Sequence, residues 1–186
     1  MMKCGLLGKT LKHSYSKIIH KLLFSYEYEL YEREENEVKD FIFSDIDAFN
    51  VTIPYKKTVM PYLDEISKEA LSIGAVNTVV KKDGKTYGYN TDFYGLKYLI
   101  LSTKVNVKNK TAMILGNGAT KKTAEKVLTS LGVKDILTVS RTGEINYQNC
   151  YDFSPDVIVN TTPVGTYPDS YSSPIEIEKF GNLSLV

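Results

Sequence analysis

Short apolar runs and helical repeats alternate along the first part of the chain. The apolar runs predict strands at residues 4–8, 28–32 and 49–53. Between them, residues 16–26 and 35–43 place apolar side chains at one-sided helical spacing, as Ile18, Ile19 and Leu22 do. Helices that alternate with strands in this way favour a parallel sheet covered by helices.

The pattern becomes less regular beyond the third predicted strand. Residues 57–66 are predicted to be helical with an interruption at Pro61, because proline lacks the N–H group that a helix interior uses. Two further strands, 75–80 and 85–89, flank a Lys-Asp-Gly turn and so predict a hairpin. A strong helix is expected over residues 93–101.

A polar segment at 102–109 indicates a domain junction. Beyond it the pattern predicts a strand at 111–115, a helix at 120–131, and strands at 136–140 and 156–161. This order is typical of half of a nucleotide-binding domain. We therefore predict an α/β protein with a substrate-binding domain over 1–101, a Rossmann-type domain over 102–186, and a cleft between them. The apolar run 182–186 has the character of the start of a further buried strand, so more chain is expected beyond it.

Charge and composition exclude several kinds of partner. A formal net charge of +1 creates no field that would gather nucleic-acid phosphates or anionic lipids. No window reaches the ~20 apolar residues of a membrane span, and the amino-terminal apolar stretch is too short for a secretion signal, so a cytoplasmic protein is expected. Cys4 and Cys150 form no CxxC pair and have no nearby metal-ligating histidine, and we interpret His13 and His20 as structural, so no metal site is predicted.

A glycine turn at 116–118 follows a predicted strand and opens a predicted helix. Backbone N–H groups in such a turn can approach a pyrophosphate, although a plain strand-to-helix turn has the same pattern. At the end of the next strand stand Ser140, Arg141 and Thr142, where an NAD-binding domain usually carries an acidic residue. A guanidinium group suits a 2′-phosphate, so NADP is predicted in preference to NAD.

Four polar residues are candidates for chemistry on a substrate. Lys56 and Asp92 could supply a cation and a carboxylate, but a surface lysine and a helix cap are the ordinary alternatives. Ser14 and Ser16 stand at the entrance of the first predicted helix, where two hydroxyl groups could bind a carboxylate or simply cap the helix.

Seven segments combine into a recognisable series. They are 5–8 (GLLG), 13–16 (HSYS) with His20, 50–56 (NVTIPYK), 73–78 (IGAVNT), 88–95 (GYNTDFYG), 140–142 (SRT) and 160–165 (NTTPVG). Together they resemble the shikimate dehydrogenase family, and the resemblance runs the length of the chain in the family's own order.

The resemblance implies reversible hydride transfer between NADPH and the ring carbonyl of 3-dehydroshikimate, giving shikimate for aromatic amino-acid biosynthesis. Lys56 and Asp92 would be the catalytic pair that flanks the reacting oxygen. The implied substrate contacts are Ser14, Ser16, Thr52, Asn77 and Asn90, and the implied cofactor contacts are Gly116, Asn117, Gly118, Ala119, Ser140, Arg141, Thr142 and Thr161. The partner would be a small molecule, and the chain a monomer or homodimer.

Departures from the family pattern leave alternatives open. Lys121 stands where the family has a small residue in the cofactor turn, and Glu144 falls near where a second basic residue often helps to hold the 2′-phosphate. An NAD-dependent quinate or shikimate dehydrogenase is one alternative, and a catalytically silent shikimate-binding module is another. A methyltransferase that uses a nucleoside cofactor would leave Lys56 and Ser14 without a role.

Overall fold

The chain divides into two units, Met1–Asp92 and Phe93–Val186, in a computed structural model that describes residues 1–12 and 14–186. The junction was predicted at 101–102, whereas the division falls within the first turn of a helix that spans Thr91–Ser102. His13, interpreted from the sequence as structural, lies outside the described residues.

The first unit is built on a mixed sheet of six strands. Its strands are β1 (Lys3–Gly8), β2 (Glu27–Glu32), β3 (Ala48–Val51), β4 (Glu65–Ile66), β5 (Thr78–Lys82) and β6 (Lys85–Tyr89), and its helices are α1 (Ser16–Leu23), α2 (Val38–Ile42) and α3 (Lys68–Ile73). The spatial order is β2-β1-β3-β5-β6-β4. Strand β1 runs parallel to both β2 and β3, as the alternation of strands and helices predicts, and the predicted β5–β6 hairpin makes the remainder antiparallel except for β4.

Both faces of strand β1 are buried. Leu7 joins a large apolar cluster with Phe49, Val51 and Tyr55, whereas Leu6 joins a smaller cluster on the other face. A shift of β1 by one residue would exchange these two sets of side chains between clusters of different shape, so packing specifies its register. Strand β3 pairs with β1 and therefore delivers the segment that begins at residue 52 to a fixed place.

Two local predictions in this unit need correction. The predicted helix at 57–66 is wrong, because this segment forms turns, a short 3-10 helix at Met60–Tyr62 and the strand β4. Most of its backbone bonds reach back three residues, as from Met60 N to Lys57 O, and Pro61 has no N–H with which to extend an α-helix. Helix α3 was not predicted, although Ser67 caps its first turn and Gly74 ends it with a φ of 73°.

The second unit contains a parallel sheet that follows the predicted nucleotide-binding pattern. Its elements are α4 (Thr91–Ser102, which begins in the first unit), β7 (Thr111–Leu115), α5 (Ala119–Ser130), β8 (Asp135–Val139) and β9 (Val157–Asn160). The strand order is β8-β7-β9. Leu185 pairs in parallel with Val157, so the apolar run at 182–186 lies beside β9 as a strand would.

Strands β7 and β9 are joined at their amino ends by one carboxylate. Asp156 Oδ1 accepts from Lys110 Nζ at 2.7 Å, and its Oδ2 accepts from the Thr111 N–H at 2.9 Å. The hydrogen bond from Lys110, followed by that from Thr111, lowers the pKa of Asp156 below its usual value. A depressed pKa in the folded state means that the ionised carboxylate stabilises the sheet.

We expect Asp156→Asn to lower the midpoint of thermal unfolding by roughly 2–5 °C at pH 7, because the charged acceptor is lost. Since the folded pKa lies below the unfolded value, this contribution is complete above about pH 4 and disappears as the pH falls through the folded pKa. Circular dichroism melts at pH 7 and pH 3 test this. The exposed Asp135→Asn serves as the control, and an Asp156→Asn deficit that stayed constant with pH would contradict the assignment.

None of the helices within residues 1–12 and 14–186 combines the length and apolar character needed to cross a bilayer. In the same part of the chain, no group of three or more His, Cys, Asp or Glu side chains is arranged to hold a metal ion.

Candidate active site

Lys56 is held at the carboxyl end of β3 by contacts of its backbone and of its neighbour. Tyr55 is 1% exposed and donates from its hydroxyl to Arg33 O at 2.6 Å, so the residue before Lys56 is fixed in the core. The Lys56 carbonyl accepts from Val76 N–H at 2.8 Å. These contacts fix the backbone, while the lysine side chain remains 32% exposed.

Asp92 meets Lys56 in an ion pair. Asp92 Oδ2 lies 2.8 Å from Lys56 Nζ, and the Asp92 side chain is half exposed. Because α4 begins at Thr91, Asp92 lies inside its first turn and is not its N-cap. The partial positive charge at a helix start favours a carboxylate there. The structure therefore brings together the two residues that were predicted to be catalytic.

Asn77 connects the hairpin to the start of α4. Its Oδ1 accepts from Thr91 N–H at 2.8 Å, from Thr91 Oγ1 at 3.1 Å and from Thr78 Oγ1 at 3.1 Å. The Asn77 side chain thus caps the helix that carries Asp92. With Oδ1 fully used, the group that Asn77 can offer to a ligand is its Nδ2 donor.

Asn90 and Thr52 lie near the same strand ends. Asn90 is 1% exposed and donates from Nδ2 to Ala75 O at 3.0 Å, which ties β6 to the segment before Asn77. Thr52 is partly buried, and its N–H donates to Leu7 O at 2.9 Å. Both residues belong to the unit that contains the Lys56–Asp92 pair.

Ser14 and Ser16 lie at the start of α1. Ser14 Oγ accepts from Ser16 N–H at 3.2 Å, so Ser14 bonds the first residue of the helix, and the residue at the cap position, Tyr15, makes no capping bond with its side chain. A hydroxyl that accepts a backbone N–H still has its own proton to donate. The helix-bonding role of Ser14 is therefore compatible with binding a carboxylate.

A partly buried series of hydrogen bonds that sequence reasoning missed crosses the sheet between these groups. Tyr28 donates from its hydroxyl to Asn50 Oδ1 at 2.8 Å, and Asn50 Nδ2 donates to Thr78 Oγ1 at 3.1 Å. Thr78 in turn donates to Asn77 Oδ1. Burial, which outweighs a hydrogen bond from Ser16, raises the pKa of Tyr28. Sequence spacing gives no signal for this series of hydrogen bonds, because Tyr28, Asn50 and Thr78 lie on three strands that are far apart in the sequence.

The second unit contains a cavity of about 920 Å³ at the carboxyl ends of its strands. It is lined by Gly116, Asn117, Gly118, Ser140, Arg141, Thr142, Tyr147, Thr161, Thr162, Pro163, Val164 and Pro174. All the predicted cofactor residues except Ala119, which is the first residue of α5, are in this lining. The carboxyl ends of parallel strands are where nucleotides bind in such sheets.

The glycine turn has the geometry that a nucleotide phosphate requires. Gly116 adopts a φ of 102°, and a Cβ there would lie 3.0 Å from Thr162 Cγ2, so only glycine fits without strain. A Cβ at Gly118 would meet no described atom within 4 Å, and Gly118 caps α5 without a side-chain bond. No side chain therefore occupies the first N–H groups of α5, and the residues present fit a dinucleotide.

The other predicted cofactor residues serve distinct structural roles. Thr161 donates from both its N–H and its hydroxyl to Leu115 O, at 2.9 and 2.7 Å, which holds the end of β9 against the glycine turn. Ser140 is nearly buried, whereas Arg141 and Thr142 are exposed at the cavity edge. Arg141 is thus free to move toward a phosphate.

Lys121 does not obstruct this cavity. Its Nζ pairs with Glu125 Oε1 at 3.1 Å along α5, and Lys121 is not among the lining residues. Helix α5 buries the residues that follow, including Ala124, Val127 and Leu128. The lining residues that were not predicted as contacts are Tyr147, Thr162, Pro163, Val164 and Pro174. The three at 162–164 belong to the segment NTTPVG, which was the available sequence signal for them.

We expect Asn77→Ala to lower the free energy of unfolding by about 1–3 kcal/mol, because the Thr91 N–H and two hydroxyl groups lose their shared acceptor. Denaturant unfolding measures this directly. Asn77→Asp keeps an acceptor at the helix start and should lose less. Equal stability of the alanine variant and the unaltered chain would show that this cap has no energetic importance.

Comparison with known proteins identifies relatives of the chain. A family profile described as the shikimate dehydrogenase substrate binding domain matches residues 6–79. Shikimate dehydrogenase (NADP(+)) of Clostridium beijerinckii is 38% identical, over 97% of this chain and 74% of that protein. The corresponding enzyme of Caldicellulosiruptor bescii is 35% identical, over 97% of this chain and 72% of its own length.

A solved structure has the same fold. It is a chorismate mutase/shikimate 5-dehydrogenase fusion protein from Clostridium acetobutylicum, which superposes with a TM-score of 0.86 at 33% identity and covers 96% of this chain and 73% of its own. This chain thus matches about three quarters of the length of these relatives. Similarity at this level, over nearly the whole chain, establishes its ancestry. The chain belongs to the shikimate dehydrogenase family.

Proposed function

We propose that this chain is an NADP-dependent shikimate dehydrogenase, which interconverts 3-dehydroshikimate and shikimate in aromatic amino-acid biosynthesis. The observation that carries the proposal is the 2.8 Å ion pair of Lys56 and Asp92, in the unit that resembles the substrate-binding domain of the family. Two relatives that match 97% of this chain are named shikimate dehydrogenase (NADP(+)).

Lys56 is the proton donor in this proposal. Reduction of a ketone builds negative charge on its oxygen, and a cationic donor beside that oxygen stabilises the transition state. Lys56 carries such a donor on a fixed backbone, and Asp92 holds the ammonium group in place at 2.8 Å. When bound, NADPH supplies the hydride for the carbonyl carbon. In the reverse direction Lys56 accepts the proton of the substrate hydroxyl.

The substrate contacts divide into two groups. Ser14 and Ser16 bind the carboxylate, since both hydroxyls stand at the start of α1. Ser14 can donate its hydroxyl proton directly, and the Ser16 proton turns from Tyr28 to the carboxylate when substrate binds. Thr52, Asn77 and Asn90 bind the ring hydroxyls. For Asn77 the bond comes from Nδ2, because its Oδ1 is already used by Thr91 and Thr78.

The cofactor is bound in the second unit in this proposal. The diphosphate binds at the start of α5, which has no side-chain cap, and contacts Gly116, Asn117, Gly118 and Ala119. Ser140, Arg141 and Thr142 bind the adenosine ribose and its 2′-phosphate, with Arg141 as the principal charged contact. Thr161 supports the glycine turn through Leu115 O.

The experiment that tests this function follows absorbance of the reduced nicotinamide while the chain is mixed with shikimate and NADP. We expect reduction of NADP with shikimate, and far less with NAD or with quinate. Faster turnover with quinate and NAD would favour the alternative dehydrogenase. Shikimate binding by calorimetry with no binding of either cofactor would identify a silent module, and absence of binding by all of them would reject the family's function for this chain.

We also propose a cytoplasmic location and a monomeric or homodimeric state. Light scattering of the purified chain and fractionation of cells that express it test these two points. A sedimenting membrane fraction or a larger assembly would contradict them.

A further inference from the structure

Helix α1 carries the two serines proposed to bind the substrate carboxylate, yet it buries none of its own residues. Its apolar side chains are exposed, with Ile18 at 59%, Leu22 at 79% and Leu23 at 66%. An amphipathic helix usually docks through its apolar face, and α1 does not do so here. Some other contact must therefore fix its position on the unit.

His20 supplies that contact, one turn after Ser16. Its ring stacks on Tyr28 of β2, with centroids 3.8 Å apart and an interplanar angle of 14°. Its Nδ1 lies 2.6 Å from the Tyr26 hydroxyl, so a hydrogen bond holds the edge of the ring as well. Burial lowers the pKa of His20, which favours the neutral ring. Two other polar contacts join α1 to β2. One is the hydrogen bond from Ser16 to the Tyr28 hydroxyl, and the other joins Lys17 to Glu29, whose side chains are both more than 40% exposed.

The stacked tyrosine belongs at the same time to the hydrogen-bond chain of the sheet. Tyr28 is 6% exposed, and its hydroxyl donates to Asn50, which leads through Thr78 to Asn77. The aromatic face of Tyr28 therefore contacts His20 of α1, and its hydroxyl begins the hydrogen bonds that lead to Asn77, a proposed contact of the substrate ring. The buried side chain of Tyr28 thus links the serines that bind the substrate carboxylate with the asparagine that binds the substrate ring.

We infer that His20 is a positioning residue for substrate binding: stacked on Tyr28, it holds α1 so that Ser14 and Ser16 meet the carboxylate while Asn77 meets the ring. This inference rests on the proposed function, because it uses the serines as substrate contacts. His20 does not touch the reacting atoms. It acts through the placement of α1, and a misplacement of about 1 Å far from the chemistry can cost as much as about 100-fold in rate.

The test compares His20→Ala with Lys17→Ala in steady-state kinetics. We expect His20→Ala to raise the KM for shikimate at least about tenfold, with a smaller fall in kcat and an unchanged KM for NADP, since cofactor contacts lie in the other unit. Lys17→Ala removes an exposed ion pair between the same helix and strand and should leave all three constants within about twofold. His20→Phe retains a ring for stacking and should recover part of the loss.

A double-mutant cycle separates positioning from general damage. In a Ser14→Ala/Ser16→Ala background, His20→Ala should add little to the KM for shikimate, because both hydroxyl groups that it positions are already absent. A His20→Ala effect that is fully additive to the loss of the two serines, or an unchanged KM in His20→Ala alone, would overturn the inference. In either case the unaltered chain would still oxidise shikimate, so the proposed function would stand.

Hydrogen exchange provides a readout that does not depend on turnover. His20→Ala should speed amide exchange in residues 14–23 at least about tenfold, whereas Lys17→Ala should not. If the unaltered chain showed no turnover, the proposed function would fail, and exchange would still decide whether His20 holds α1. Equal exchange in both variants would reject the role of His20.

Discussion

Replacing Lys56 with alanine is expected to reduce kcat for shikimate oxidation by about 10²–10⁴, the usual contribution of a positioned general acid or base. The lysine is partly exposed and its backbone is held by its neighbours, so its truncation should leave the fold unchanged. The KM values for shikimate and NADP should change much less than kcat, because the lost interaction forms chiefly in the transition state. Steady-state kinetics with matched circular dichroism melts measure both effects.

The adjacent lysine offers a close control. Lys57 is exposed and makes no ion pair within the described part of the chain, so Lys57→Ala should retain kcat within about twofold. The kcat of Asp92→Asn should lie between those of Lys56→Ala and Lys57→Ala, since this substitution leaves the ammonium group but removes its charged partner. A Lys56→Ala variant as active as Lys57→Ala would show that proton transfer is carried by another group.

Replacing Arg141 with alanine is expected to reduce the preference for NADP over NAD by about 100-fold, because a guanidinium–phosphate contact is charge-assisted and NAD lacks the 2′-phosphate. Arg141 lies exposed on the edge of the cavity beside Thr142, so no packing should be lost. The measurement is kcat/KM for each cofactor at saturating shikimate. The loss should appear in the KM for NADP, with the constants for NAD nearly unchanged.

Salt and a second basic residue distinguish this contact from general attraction. Lys134→Ala removes an exposed charge of the same unit, outside the cavity lining, and should not alter the cofactor preference. Higher ionic strength should weaken NADP binding to the unaltered chain more than to Arg141→Ala. An Arg141→Ala variant that still preferred NADP would assign the 2′-phosphate to other donors.

The sequence predicted those elements whose signals are local. Apolar runs at 4–8 and 111–115 became buried strands, and the glycine turn at 116–118 opened α5 as expected. The helix predicted at 57–66 was wrong. Pro61 and the turn after β3 favour backbone hydrogen bonds between residues three apart, which form a 3-10 helix instead of an α-helix. Helix α3 carried a Ser cap and a terminal Gly, and only its shortness concealed it.

Single site residues could be predicted where each lies in a sequence motif. Contacts between residues on different strands could not be predicted. Lys56 and Asp92 are 36 positions apart, and only the likeness to a family suggested that they meet. The partnership of Tyr28 with Asn50 depends on β1 lying between β2 and β3, a pairing that no periodicity records. Residues such as Tyr147 reached the cofactor cavity through a loop without any pattern.

Transfer of hydrogen from NADPH to 3-dehydroshikimate directly tests whether this chain is an NADP-dependent shikimate dehydrogenase. The chain is incubated with this ketone and with NADPH that carries deuterium at both C4 positions, and the product is examined by mass spectrometry. We expect shikimate that contains one deuterium on its new hydroxyl-bearing carbon, formed far more slowly by Lys56→Ala. Absence of shikimate, or shikimate without deuterium, would contradict the assignment of this chain as an NADP-dependent shikimate dehydrogenase.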